Sequence, residues 1–400
     1  MRLPLIFVTA TTVIDSMGIG LILPVLPSLL REVANIPLAD AALYGGVLVT
    51  AFAFMQFLFG PIIGALSDRY GRRPVMLISL LVMALDYLVM ALAGAFWVLL
   101  VGRMVGGIAA ATQSTAYAFM ADISKPEEKA ARFGIIGAAF GMGFVLGPLL
   151  GGLLAEFGTR APFYAAAALA AINLVFGYFV MPETLKPENR RSLTLERANP
   201  LGAFKNVSAT PTLRPLLILF FLYQVAFMVY PSIWAYYTEA RFDWGPRMIG
   251  LSLAAFGIAM AIVQGGLIRY ILRWFGDWGT ILYGLTFNFF AFFVLAFVQS
   301  GAVAIAFIPL TALGAVVTPA VQGMMSRATS DNSQGELQGV LSSTSALATI
   351  ISPLIMTQIF AAFAREDAAY FLPGAPFLLS MALMVVCAAV FVATPRQHPV

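Results

Sequence analysis

The 400 residues are 60% hydrophobic and 10% charged, with a mean hydropathy of +0.90; a soluble domain is about a quarter charged, so this apolar surface faces lipid. A single cysteine, Cys387, and a single histidine, His398 in the tail, exclude an internal disulfide, a cysteine-built metal site and a buried histidine proton relay. The net charge of +4 comes from loop residues and gives no reason to expect nucleic acid as a partner.

Lipid offers no partner for exposed backbone N–H and C=O groups, so the apolar runs are predicted as helices; the alternation of a barrel strand is absent. Twelve spans are expected, at 5–30, 43–66, 74–93, 96–121, 132–156, 162–182, 214–238, 247–272, 279–298, 301–326, 336–361 and 370–393. The first begins at Leu3 and runs past Asp15 to Leu30, too long for a signal-peptide core. Between the second and third lies Gly64-Ala-Leu-Ser-Asp68-Arg69-Tyr-Gly71-Arg72-Arg73. There Gly64 is expected to admit a close helix, Gly71 a tight turn, and Asp68 to accept from a neighbouring helix N-terminus. Asp86 sits midway along the third span, as Asp15 does in the first. A carboxylate at such depth is costly and marks a proton pathway more often than a satisfied structural group. Arg103 opens the fourth span ahead of Gly106-Gly107, either paired inside or snorkelling to the surface. The fifth carries Gly143, Gly147, Pro148, Gly151 and Gly152, a flat face for close packing.

The stretch 183–213 carries five basic and three acidic residues with several prolines, and separates a six-span unit at 1–182 from another at 214–400. It reads as a cytoplasmic linker with a short surface helix near Leu201–Phe204. In the second unit Glu239, beside Arg241, reads as a surface residue. An offset of 205 residues carries Gly60, Gly71, Gly134 and Pro148 onto Gly265, Gly276, Gly339 and Pro353, so the chain is a duplicated membrane unit. Parallel repeats of this kind are most often transporters. The same offset sets Arg273 against Asp68 and Arg327 against Asp122, an electrostatic complement able to latch the halves. Of the 23 basic residues, 17 fall on the side of the termini, five opposite and Arg103 within a span, so both termini are expected in the cytoplasm. No GxxxxGK[ST] phosphate loop is present, which argues against ATP as the energy source.

The string Gly64–Arg73 resembles the signature loop of the major facilitator superfamily, and Gly143–Gly152 resembles the antiporter motif of its drug:proton antiporters. More closely, Asp15-Ser-Met-Gly-Ile-Gly-Leu-Ile-Leu-Pro, Leu85-Asp86-Tyr87-Leu88, Thr238-Glu239-Ala-Arg-Phe and Pro319–Ser326 are similar to the bacterial tetracycline/proton antiporters, from Val13 to Pro353. The resemblance implies twelve helices in two pseudo-symmetric six-helix bundles. It implies proton coupling through Asp15, Asp86 and Arg103, and a substrate path lined by Gln56, Gln113, Tyr223, Tyr230, Gln264, Asn288 and Phe290. Gly64, Asp68, Arg69, Gly71, Arg72, Arg73, Asp122, Lys129, Gly143, Gly147, Pro148, Gly151 and Gly152 fall to the conformational switch. Asn288 stands where the family often has an aspartate, Met260 where some members have a histidine, and Lys129 where arginine is usual.

The expected function is export of a small-molecule drug, with a tetracycline leading, in exchange for protons across the bacterial inner membrane. No cofactor is implied beyond the proton gradient; such a drug travels as a divalent-metal chelate. The rival readings are an antiporter for another amphipathic compound and a non-transporting receptor or scaffold of the same fold. No enzyme constellation exists in the sequence.

Overall fold

The computed structural model describes residues 2–110, 112–125, 128–185, 187–190, 213–330 and 333–394. Among them no strand occurs. The helices are α1 (Arg2–Ile22), α2 (Leu26–Ala34), α3 (Leu38–Tyr70), α4 (Arg72–Leu92), α5 (Phe96–Ala109), α6 (Thr112–Asp122), α7 (Lys129–Leu154) and α8 (Ala161–Val180). The second half has α9 (Arg214–Phe227), α10 (Val229–Phe242), α11 (Pro246–Ile262), α12 (Ile268–Phe297), α13 (Gly301–Thr311), α14 (Val317–Arg327), α15 (Gln334–Ala364) and α16 (Ala375–Val392). A wide π-helical turn, Val263–Leu267, joins α11 to α12. Most of the linker, with the surface helix expected near Leu201–Phe204, lies outside the described residues.

Ten helical runs are long and apolar enough to cross a bilayer. One of them, Pro246–Phe297, is 52 residues long and breaks inside α12 at Gly276, whose φ of 64° and ψ of 179° are not helical. A further span is assembled from two shorter pieces, α5 and α6. Dividing the first and joining the second turns ten into twelve.

Contacts divide the chain into two units, Met1–Pro200 with Trp244–Ala254, and Leu201–Asp243 with Ala255–Val400. The segment Trp244–Ala254 joins the first unit for a steric reason. Gly250 lies so close to the Pro148 carbonyl and to Gly152 that a Cβ would strike backbone there, and Arg247 pairs with Glu156 at 2.8 Å.

In the first unit, α7 lies on α1 at backbone contact. A Cβ on Gly143, Gly147 or Gly151 would meet main-chain atoms of Val13, Met17 or Leu21, so these small residues set the helix separation. Gly147 and Gly20 face one another. A core of Phe7, Val8, Met76, Leu80, Phe119, Met120 and Ile136 fills the side toward α4 and α6. Asn173 of α8 donates to the Thr11 hydroxyl at 2.9 Å, so a buried amide finds a buried acceptor. The turn from α3 to α4 passes through Gly71 at φ 112°, a backbone that L side chains rarely adopt.

In the second unit, Tyr230 packs among Phe227, Phe256, Phe292 and Phe377, with ring centroids 5.1 to 6.0 Å apart. The Tyr237 hydroxyl donates to the Leu295 carbonyl at 2.6 Å. Gly276, one repeat on from Gly71, also has positive φ.

Candidate functional site

The first unit holds a cleft lined by Thr12, Asp15 and Ser16 of α1, Phe52 and Gln56 of α3, Asp86 and Tyr87 of α4, Arg103 and Gly106 of α5, and Phe140 of α7. Three of the residues expected to couple protons therefore meet in one place. Asp86 is 5% exposed and makes an ion pair with the Arg103 guanidinium. Arg103 is itself 9% exposed, and its guanidinium lies 4.7 Å from the centre of the Phe52 ring. It does not run to the surface. The local sequence explains the fit: Gly102 and Gly106 are one turn apart on α5, and a Cβ at Gly106 would strike the Asp86 carboxylate. The α5 glycines thus make room for the α4 acid.

Several polar atoms in the cleft have no protein partner. These are Oδ1 of Asp15, Oδ1 of Asp86 and Nε of Arg103, all buried. Orphaned buried polar atoms are uncommon in folded proteins and cluster where chemistry or exchange takes place. The cleft's cavity volume is about 40 Å³. A water needs roughly 10–15 Å³ of such space, whereas a drug-sized ligand needs roughly 300 Å³ or more. The cleft suits protons and a few waters and is too small for a drug-sized ligand.

Gln56 donates from Nε2 to the Ala110 carbonyl at 3.2 Å, just past the end of α5. Gln264 does the same to the Ala315 carbonyl, also at 3.2 Å, before α14 begins. The acceptors are 205 residues apart and the donors 208. Each glutamine satisfies a carbonyl freed where a span is interrupted. The Gln113 side chain lies outside the described residues.

In the second unit, Asn288 is 0% exposed. Its amide nitrogen donates to the carbonyls of Gly284 and Gly314, both at 2.9 Å, and reaches the Tyr223 hydroxyl at 3.3 Å. Tyr223 in turn donates to the Gly314 carbonyl at 3.3 Å. Asn288 and Tyr223 therefore clamp α12 and α9 to the backbone ahead of α14, and both are buried among their own helices. Tyr230 is buried in the aromatic cluster. Phe290 lies apart from these residues. It is 60% exposed, and it falls in a stripe with Thr286, Phe293 and Phe297 on the side of α12 away from Asn288. Two residues along a helix are about 200° of rotation, so a residue at 290 cannot share the face of one at 288.

The signature loop forms a charge network inside the first unit. Arg72, nearly buried, pairs with Asp68 at 2.5 Å and with Asp122 at 3.3 Å, and donates to the Ser67 hydroxyl at 3.2 Å. Arg73 donates to the Tyr178 carbonyl at 2.7 Å, and Arg69 lies over the Tyr70 ring. Lys129 is exposed at the start of α7. Arg327 pairs with Asp277 at 2.6 Å in the second unit, so Asp68, Asp122 and Arg327, three of the four charges set against one another by the repeat, have partners in their own units. Gly64 also departs from expectation: a Cβ there would meet nothing within 4 Å, because its side of α3 is not packed within the unit.

Glu183 was missed. Its Oε1 accepts from the Arg72 backbone N–H at 3.0 Å and its Oε2 from that of Arg73 at 3.2 Å, so it caps the first turn of α4 from the end of the first unit. A Cβ on Gly71 would collide with it. Beside it, Thr184 donates to Asp122 at 3.1 Å. The available signal was an acid just after the last apolar residue of a span, facing a turn rich in arginine.

The family model of the Major Facilitator Superfamily matches residues 8–353. The chain is 41% identical over 384 residues to the class C tetracycline resistance protein of Escherichia coli, covering 96% of this chain and 95% of that protein. It is 34% identical over 400 residues to the class D protein of Salmonella ordonez, covering 100% and 99%. Among solved structures, the human organic anion transporter MFSD10 superposes with a TM-score of 0.71 at 26% identity, over 98% of this chain and 99% of that one. The nucleoside transporter NupG superposes with 0.78 at 13% identity, covering 98% and 99%, a likeness of fold alone.

Proposed function

The chain belongs to the major facilitator superfamily and is a multi-pass membrane transporter, not an enzyme; from that premise we propose that it exports a tetracycline-class drug across the bacterial inner membrane in exchange for protons. The observation that carries the reading is the cleft: two deep carboxylates and one arginine meet in a space sized for protons and water. The likeness to tetracycline resistance proteins over almost the full chain supplies the substrate class.

In this reading Asp86 and Asp15 are the proton carriers. While Asp86 is ionised it holds Arg103, and the pair is neutral. A proton on Asp86 removes that charge and frees the guanidinium, and the other carboxylate lining the cleft is Asp15 with its unpartnered Oδ1. The exchange moves Arg103 between α4 and α1. Because α1 is locked to α7 through Gly143, Gly147 and Gly151, a shift of α1 carries α7 with it. Proton binding then biases the inward-open against the outward-open state, and the drug leaves outside. The signature-loop cage and the Gly143–Gly152 face act as the switch.

A second reading, an antiporter for another amphipathic compound, is favoured by Asn288, which is neutral and committed to its own backbone. The experiment is uptake into inverted vesicles under an imposed proton gradient, against a panel of antibiotics. Asp15→Asn and Asp86→Asn should each abolish gradient-driven uptake while membrane insertion is retained. Wild-type rates in both variants would overturn the coupling assignment. Uptake of other classes with tetracycline left behind would establish the second reading.

A further inference from the structure

Asp86 has two sides. On the inner side it lines the cleft with Asp15 and Arg103. On the outer side it forms part of a second concavity, of about 530 Å³, between α4 and α5. Its walls are Val82, Leu85 and Val89 of α4, and Val98, Val101 and Val105 of α5, with Trp97 at one end and Gly102 in the floor. Leu85, Trp97, Val98, Val101 and Val105 are exposed, so the groove opens on the outer surface of the first unit. Its volume is in the roughly 300–1,000 Å³ range of small-molecule pockets.

Apart from the indole N–H of Trp97 at one end, the polar content of this groove is the Asp86 carboxylate. Oδ2 of Asp86 faces the inner cleft, and Oδ1 lies between the two sides. A Cβ on Gly106, which lines the inner cleft, would strike Oδ2 and come 3.3 Å from Oδ1. A Cβ on Gly102, in the floor of the outer groove, would come 3.1 Å from Oδ1. Oδ2 is taken by Arg103. Oδ1 is buried and has no hydrogen-bond partner. An acceptor left over at the base of an apolar groove is a position where a donor is worth most, since nothing else there competes for it.

We propose that the groove between α4 and α5 is a lateral binding site for a membrane-dissolved molecule with an apolar body and a single uncharged hydrogen-bond donor, which it gives to Asp86 Oδ1. The head is uncharged for an electrostatic reason. Asp86 and Arg103 already neutralise one another, so an ammonium would leave a net positive charge in an apolar wall. A hydroxyl or amide N–H satisfies the oxygen without that cost. A side chain larger than glycine at 102 would crowd that oxygen.

The test uses full-length protein in nanodiscs and three photoactivatable probes with the same diazirine-bearing twelve-carbon chain: a primary alcohol, its methyl ether and the corresponding ammonium. Crosslinked residues are mapped by mass spectrometry, with unlabelled dodecanol as competitor. The alcohol should label Val98, Val101 or Val105 at least tenfold more than the ether or the ammonium, and dodecanol should compete. Val101→Trp, which fills the groove without touching Asp86, should remove that preference; Val98→Phe serves if the first variant does not insert. Equal labelling by alcohol and ether would overturn the proposal and leave a groove for acyl chains only. An alcohol preference that survives both fillings would overturn it too, by placing the donor's partner elsewhere.

Discussion

Replacing Asn288 by aspartate separates two accounts of that position. The structure places its amide nitrogen 2.9 Å from the carbonyls of Gly284 and Gly314. Aspartate would set an oxygen against both. Two hydrogen bonds would be lost, at about 1 kcal/mol each. The new charge would be buried with acceptors rather than donors around it, and an uncompensated buried charge costs about 3–5 kcal/mol. The expected loss is therefore about 5–7 kcal/mol at neutral pH, on the sum of those two contributions. Asn288→Leu loses the same bonds without adding a charge, and should cost less than half as much. Reversible unfolding of the purified protein in mixed micelles, with increasing SDS, measures both. In whatever Asn288→Asp protein survives, transport should depend on magnesium as in wild type, because the side chain faces its own backbone. A stable Asn288→Asp protein with a steeper magnesium dependence would refute the reasoning and place position 288 on the drug path.

Arg103→Lys should impair gradient-driven uptake at least tenfold, because lysine lacks the planar fork and cannot both hold Asp86 and lie flat on Phe52; vesicle uptake checks it. Gly147→Leu should prevent α1 and α7 from meeting and destabilise the protein by more than about 3 kcal/mol, the upper part of the overpacking range, whereas Gly64→Ala should change stability by less than about 1 kcal/mol, since nothing lies near that position. Thermal unfolding of the two variants side by side tests the contrast. Glu183→Ala should cost about 0.5–2 kcal/mol, the range of a lost helix cap, and raise hydrogen exchange at the amides of Arg72 and Arg73 above that of the rest of α4.

Residues whose type is costly in lipid were legible from the sequence. Asp15, Asp86 and Arg103 stand out because a charge in a hydrophobic run demands a partner, and the structure gathers them around one cleft. The glycines at 143, 147 and 151 were legible as a packing face because their spacing repeats every turn. What failed to be legible was direction. Phe290 and Asn288 are near neighbours in sequence within one apolar run, yet the helix turns them to different sides. Gly64 looks like Gly147 in isolation, and only the neighbouring helix distinguishes them. Glu183 was invisible for another reason: its partners are two backbone amides more than a hundred residues earlier, and amides carry no signature in sequence. The division at Trp244 rests likewise on contacts of Gly250 that composition cannot anticipate.

The clip made by Glu183 and Thr184 bears on the mechanics of the tether that joins the two halves. Glu183 and Thr184 are fixed to Arg72, Arg73 and Asp122, and the next long helix begins at Arg214. The 27 residues from 186 to 212 have a contour length of about 90 Å at roughly 3.3 Å per residue. Removing ten of them would leave about 55 Å on the same basis, still longer than a bilayer is thick. By residue count alone, then, the segment is longer than any span it must bridge, and a chain cut there still has its first half ending at the Glu183 clip.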